Sequence, residues 1–182
     1  MIAAMPQQAT TAEFLRNRIR NVPDFPKPGI LFYDITTLLR DPEGFKAAIE
    51  SLSAPFAGAE IDIVVGIESR GFILGGAVAD RLGAGFCPIR KPGKLPAKTL
   101  RESFSLEYGT DSIEIHTDAI RPGQRVLVVD DVLATGGTAR AAASLVKNLG
   151  GTLHGMAFLI ELDFLNGREK LAGEQVTSVL HY

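Results

Sequence analysis

The run RVLVVDDVLATGGTA, Arg125 to Ala139, decides how this chain is read. Val126, Leu127, Val128 and Val129 are apolar without alternation. With Asp130 they read as a strand buried on both faces that ends in two carboxylates, Asp130 and Asp131. Ala134, Thr135, Gly136, Gly137 and Thr138 then form a loop of small residues, and an Ala-rich helix is expected from Ala139 to about Leu149. A buried strand, a Gly-rich loop and a helix N-terminus together make an anion site, because backbone N–H groups face out of the loop and the helix dipole favours negative charge. The glycines let a phosphate approach without a Cβ in the way. The two acids are wrong for phosphate but suit ribose hydroxyls, which donate hydrogen bonds to carboxylates. The segment therefore reads as a cradle for a ribose phosphate. Neither G-x-x-x-x-G-K-[ST] nor G-x-G-x-x-G occurs here, so it is not one of the familiar nucleotide loops. Taken alone, Gly136-Gly137 and Thr138 also suit an ordinary strand-to-helix turn capped by Thr138.

On either side of this run the chain alternates. Strands are expected at Ile61–Ile67, Phe86–Arg90, Leu153–Leu162 and Val176–His181, with a helix over Arg70–Leu82. Thr99 to His116 reads as a hairpin joined at Tyr108-Gly109-Thr110-Asp111. This order argues an α/β fold: a mostly parallel central sheet flanked by helices, with ligands beyond the carboxyl ends of the strands. Glu68, Arg90 and Asp130 all fall on that edge. Before Glu60 the pattern differs. Thr10 or Thr11 caps a helix through about Asn21, the prolines from Pro23 to Pro28 exclude helix, and Asp41-Pro42-Glu43 starts a helix reaching about Ser53.

Composition bounds the partners. The chain has 182 residues, 46% hydrophobic and 22% charged, which suits a single domain, residues 1–182, with a real core. A formal net charge of −2 argues against nucleic acid or an anionic membrane as partner. The lone Cys87 excludes an intrachain disulfide and suits a reducing, cytoplasmic compartment. No apolar run reaches the ~20 residues of a membrane helix. MIAAMPQQAT lacks the features of a secretory signal and reads as a loose end.

Other residues carry chemistry at the sheet edge. Ser69 and Arg70 follow a strand and open a helix; they offer a hydroxyl and a planar guanidinium, although Ser69 also suits a plain cap. Arg90 to Arg101 holds Arg90, Lys91, Lys94, Lys98 and Arg101 with no acid and no interleaved aromatic, so a small polyanion fits better than nucleic acid; a solvated loop is the bland alternative. Glu107 and Tyr108 stand at the hairpin tip, where exposed residues are ordinary. Phe32, between Leu31 and Tyr33, suits simple core. His116, His154 and His181 show no metal-ligand spacing, and no protein metal site is expected. Cys87 reads as a structural thiol.

D-D-V-L-A-T-G-G-T from Asp130 resembles the phosphoribosyl pyrophosphate (PRPP) motif of type I phosphoribosyltransferases. D-F-P-K-P-G-I-L-F-Y-D-I-T from Asp24, E-S-R-G from Glu68 and R-K-P-G-K-L-P from Arg90 narrow the resemblance to the adenine phosphoribosyltransferase family. S-L-E-Y-G from Ser105 and E-L-D-F-L-N-G-R-E-K-L from Glu161 agree, and the likeness runs from about Arg18 to Tyr182. It implies a type I phosphoribosyltransferase-like fold in which residues of about 1–40 form an extension and a hood over the base, and a hairpin loop closes over the site. It implies transfer of 5-phosphoribosyl from PRPP to adenine, giving AMP and pyrophosphate, by a homodimer. Ala134 to Thr138 would hold the 5-phosphate, and Asp130 and Asp131 the ribose hydroxyls. Ser69, Arg70, Arg90, Lys91, Lys94 and Tyr108 would take pyrophosphate, the basic residues reaching across a dimer interface, and Glu68–Ser69 would be a cis peptide. Leu31, Phe32 and Tyr33 would take adenine, with Glu107 handling a proton and Arg70 assisting catalysis. Mg2+ would be held mainly through PRPP oxygens and water, as a hard ion prefers. Another base, such as xanthine, is the runner-up; a PRPP-sensing regulator is disfavoured, because such proteins carry an added module or a basic face.

Overall fold

A computed structural model describes residues 10–106 and 109–182. The chain divides after Glu50 into two compact units. In the first, α1 (Thr11–Arg16) starts at a capping box: Thr10 Oγ1 accepts the Glu13 N–H, and the Glu13 carboxylate accepts the Thr10 N–H. The helix ends near Asn17, short of the expected Asn21, because the chain from Arg20 is taken up in a strand. There β1 (Arg20–Pro23) pairs antiparallel with β2 (Leu31–Asp34). The Pro-rich stretch between them is the connecting turn. A short α2 (Thr36–Leu39) and then α3 (Pro42–Ser53) follow, α3 with Pro42 at its first position as expected.

The second unit is built on a five-stranded parallel sheet in the order β4-β3-β7-β8-β9. Its strands are β3 (Ile63–Ile67), β4 (Gly85–Ile89), β7 (Arg125–Leu133), β8 (Thr152–Glu161) and β9 (Val176–His181). Val64, Val65, Val126 to Val129 and Met156 to Ile160 are all buried, as a sheet covered on both faces demands. On one face, Val65, Cys87, Val128 and Met156 join a cluster with Ala142, Leu145 and Val146 of α5 (Gly137–Asn148). Ile113 and Ile115 of the hairpin β5 (Thr99–Leu106) and β6 (Gly109–His116) belong to the same cluster. On the other face lies α4 (Arg70–Leu82): a Cβ on its Gly75 would stand 3.0 Å from Phe86 Cε2 and 3.3 Å from Gly66 Cα. No helix among the described residues is long and apolar enough to cross a membrane.

Three further differences from expectation bear on the sheet edge and its loops. The central strand runs through both acids to Leu133, because β8 continues alongside: Val132 pairs with Ile160 and Leu133 with Glu161. Asp130 and Asp131 therefore point to opposite sides of a paired strand rather than hanging from its end. Second, α5 begins at Gly137, and its cap is Gly136 at φ 76° with no side-chain cap bond, so Thr138 is inside the helix. Third, the hairpin register pairs Leu106 with Gly109 and Phe104 with Asp111, which puts Gly109 to Asp111 inside β6 rather than in the turn.

Candidate active site

Chain order reverses between two neighbours in the sheet. From β3 the chain moves to β4 on one side; β7, on the other side of β3, leads outward to β8. In a parallel sheet this reversal opens a crevice at the carboxyl ends of the two strands. Both loops singled out in the sequence lie there. β3 delivers Glu68-Ser69-Arg70, and β7 delivers Asp130, Asp131 and Ala134 to Thr138. The Glu68–Ser69 peptide is cis, as the resemblance implied. Ser69 is exposed and its side chain makes no cap bond, leaving the hydroxyl for other partners.

The two loops are joined across the crevice. The Arg70 guanidinium pairs with the buried Asp131 carboxylate. Gly71 allows the approach: a Cβ there would lie 2.7 Å from Asp130 Oδ1 and 3.0 Å from the Val129 carbonyl oxygen. Asp130 Oδ1 accepts the Asp131 N–H at 2.9 Å. Burial first, and then the neighbouring Asp131 charge, push the Asp130 carboxyl well above the ordinary aspartate range. Beside it, a cavity of about 80 Å³ is lined by Asp130, Val132, Leu133, the residues Ala134 to Thr138 and Phe158. The N–H groups of Gly137, Thr138 and Ala139, in the first turn of α5, have no carbonyl of their own helix to bond.

The basic loop is less simple than its sequence. The Arg90 guanidinium reaches Glu68 at 3.3 and 3.4 Å, Lys94 Nζ reaches Glu68 Oε1 at 2.5 Å, and the Lys91 N–H donates to Glu68 Oε2 at 3.0 Å. Lys94 above all, with the Lys91 N–H and Arg90, holds the Glu68 carboxyl at about 2. Lys91 Nζ pairs with Asp111 of β6. Arg101 bonds the buried Glu114 at 2.7 Å, and Glu114 also accepts the Gly93 N–H at 3.1 Å. The segment contains no acid, yet Arg90, Lys91, Lys94 and Arg101 are all neutralised by acids from β6 and from the end of β3. Glu68, Asp111 and Glu114 were given no role from sequence. The available signal was the position of Glu68 on the same strand edge as the cations.

Leu31, Phe32 and Tyr33 form β2 in the first unit, where Phe25 meets Phe32 edge to face at 5.2 Å. Glu107 and Tyr108 lie outside the described residues. Burial pushes the Cys87 thiol up to about 12, in keeping with a structural role. His181, given no role from sequence, stands with Glu161 and Asp163 in the one cluster of three potential metal-ligating side chains among the described residues, but Arg168 already neutralises Glu161 at 2.5 Å.

The phosphoribosyl transferase domain model matches residues 35–174. An adenine phosphoribosyltransferase of Acidobacterium capsulatum is 58% identical over 177 residues, 97% of this chain and 98% of the relative. The crystal structure of adenine phosphoribosyltransferase from Rhodothermus marinus superposes with a TM-score of 0.91 at 59% identity, covering 94% of this chain and 98% of that one. The Saccharomyces cerevisiae adenine phosphoribosyltransferase, complexed with D-2,5-dideoxy-2,5-imino-altritol 1,6-bisphosphate and adenine, superposes with a TM-score of 0.89 at 41% identity, covering 93% and 98%. A central parallel sheet with two anion-suited loops at its order reversal, and relatives alike over nearly the whole chain, lead to one conclusion: the chain belongs to the adenine phosphoribosyltransferase family of type I phosphoribosyltransferases.

Proposed function

We propose that this enzyme transfers the 5-phosphoribosyl group of PRPP to adenine, giving AMP and pyrophosphate in purine salvage, and that the crevice between β3 and β7 is where it does so. The observation that carries the site is the joining of the two loops by Arg70 and Asp131, beside a small cavity lined by Ala134 to Thr138. The 5-phosphate sits on the first-turn N–H groups of α5 and the Thr138 hydroxyl. Asp130 and Asp131 accept the ribose hydroxyls. Breaking the anomeric C–O bond builds positive charge on the ribose and negative charge on the departing diphosphate. Positioning and fixed charge are therefore the main means of catalysis. Ser69, Arg70, Arg90, Lys91, Lys94 and Tyr108 receive the diphosphate, which requires Arg90 and Lys94 to exchange Glu68 for it.

Adenine stacks on Phe32 between Leu31 and Tyr33, within one phosphoribosyltransferase domain whose first forty or so residues form an extension and hood. Glu107 handles the imidazole proton. Of the acids at the crevice, Asp131 is already paired with Arg70, so the donor set fits Mg2+ held chiefly through PRPP oxygens and water, and Asp130 would be the protein carboxyl left to contribute an oxygen. When bound, the ion offsets diphosphate charge. We place the enzyme in the cytoplasm as a homodimer.

The test is AMP formation from adenine and PRPP, with hypoxanthine and guanine as controls. A 6-oxo purine presents an acceptor where adenine presents a donor, and a buried polar group left unpaired costs about 1–3 kcal/mol. Adenine should be preferred by about ten- to a hundredfold in kcat/KM. Equal efficiency with hypoxanthine refutes the base assignment.

A further inference from the structure

The segment Glu161 to Leu171 carries part of the family resemblance but no part of the chemistry above. In the fold it turns back onto the phosphate loop. Two 3-10 turns, Asp163–Leu165 and Gly167–Leu171, follow β8 and meet at Asn166, whose φ is 51°. They bring Gly167 against the loop with no side chain between. A Cβ on Gly167 would collide with the Ala134 carbonyl oxygen and lie 2.9 Å from the Gly136 nitrogen. From the other side, a Cβ on Gly136 would collide with the Gly167 carbonyl oxygen and lie 3.0 Å from its carbonyl carbon. Two stretches of bare backbone touch, and one of them carries the N–H groups assigned to phosphate.

The turn segment cannot easily give way. Arg168 donates to both Glu161 oxygens, at 2.9 and 2.5 Å, and to the Val176 carbonyl at 2.9 Å. This clamps the segment to β8 and β9. The Leu162 N–H donates to Leu133 at 3.0 Å and the Asp163 N–H to Tyr182 at 2.9 Å. Leu171 is buried in the core cluster that includes the helix α5.

We propose that Gly167 is a positioning residue for the phosphate: its backbone is the wall that sets where the loop Ala134 to Thr138 stands, and Arg168 holds that wall in place. The proposal rests on the reading of this loop as the 5-phosphate site. Real Cβ atoms essentially never come within 3.0 Å of another heavy atom. A side chain at 167 therefore moves the loop by on the order of 1 Å, enough to weaken a positioned interaction up to ~10²-fold. The pyrophosphate residues leave from other strands and should not respond.

The test is calorimetry on Gly167→Ala with ribose 5-phosphate and pyrophosphate as separate probes, with PRPP kinetics alongside. Ribose 5-phosphate should bind about tenfold or more weakly, and KM for PRPP should rise more than kcat falls. Pyrophosphate should stay within about twofold of wild type. Arg168→Lys keeps the charge opposite Glu161 but loses the guanidinium fork. It should show the same selectivity at smaller size, and it decides the matter if Gly167→Ala does not fold. Unchanged ribose 5-phosphate affinity in a folded variant, or an equal loss for both probes, overturns the wall. Thr138→Val separates the two readings. If it too leaves ribose 5-phosphate binding unchanged, the phosphate loop has been misassigned. If it weakens that binding while Gly167→Ala does not, the wall alone fails.

Discussion

Asp131→Asn tests whether the two loops act as one unit. Asp131 is buried and engaged by Arg70, whose own side chain is 38% exposed. A hydrogen bond to a charged group contributes about 1.5–3 kcal/mol, so its loss should raise KM for PRPP by about ten- to a hundredfold. Stability should fall by less than that bond. The Asp131 charge is also one of the causes that push Asp130 upward, after burial, and the substitution removes it. Asp130 is held above its unfolded value, so its contribution to stability is full below about pH 4 and is lost as pH rises through the folded pKa. Asp131→Asn lowers that folded pKa and shrinks the loss at neutral pH. Carboxyl NMR should show Asp130 titrating lower in the variant. The assay is a double-mutant cycle on kcat/KM for PRPP with Asp131→Asn and Arg70→Gln. If the pair works as a unit, the double variant loses little beyond either single one, with a coupling of about 1–3 kcal/mol. Losses that simply add, within about 0.5 kcal/mol, refute the joined-loop reasoning.

Two further predictions follow from the basic loop and the hairpin. Glu68→Gln should lower stability at pH 7 by about 1 kcal/mol, since its partners Arg90 and Lys94 are 33% and 48% exposed, giving a fall in Tm of about 2–4 °C. Because Glu68 is held down at about 2, its contribution is present above the unfolded value near 4.3 and is lost as pH falls toward 2, so the variant and wild type should converge in thermal scans near pH 2; a gap that persists there contradicts the ion-pair account. Glu107→Ala should lower kcat by about 10²–10⁴-fold with a smaller change in PRPP binding, and Glu107→Gln should keep part of the activity if hydrogen bonding is its task; full turnover in Glu107→Ala returns the residue to an ordinary hairpin tip.

Local pattern carried most of the fold. Val126 to Val129 read as a doubly covered strand from their Val-rich run and the turn that follows, and Pro42 and the Arg70–Leu82 periodicity marked their helices because caps and apolar spacing act over a few residues. What was illegible depended on distant partners. Asp130 and Asp131 looked like a strand end, and only the length of β8 shows that pairing continues past them. Arg70 meets Asp131 across 61 residues and Lys91 meets Asp111 across 20, so nothing nearby announces either pair. The Gly167 contact was hidden for a related reason, since a glycine's lack of a side chain means something only once its neighbour in space is known.

The neutralised basic loop changes what an incoming polyanion meets. Arg90, Lys91 and Lys94 are already bound to internal carboxylates, so none of these three stands as a bare cation. For the role proposed for these residues, capture of a diphosphate is a metathesis in which one anion displaces another already seated. Chloride or a single inorganic phosphate brings too little charge to evict Glu68 and Asp111 together, whereas a diphosphate can engage several cations at once. In that proposed role, Glu68 and Asp111 would act as competitive counterions, favouring multivalent substrates over the abundant small anions around them and blunting the dependence of substrate affinity on ionic strength.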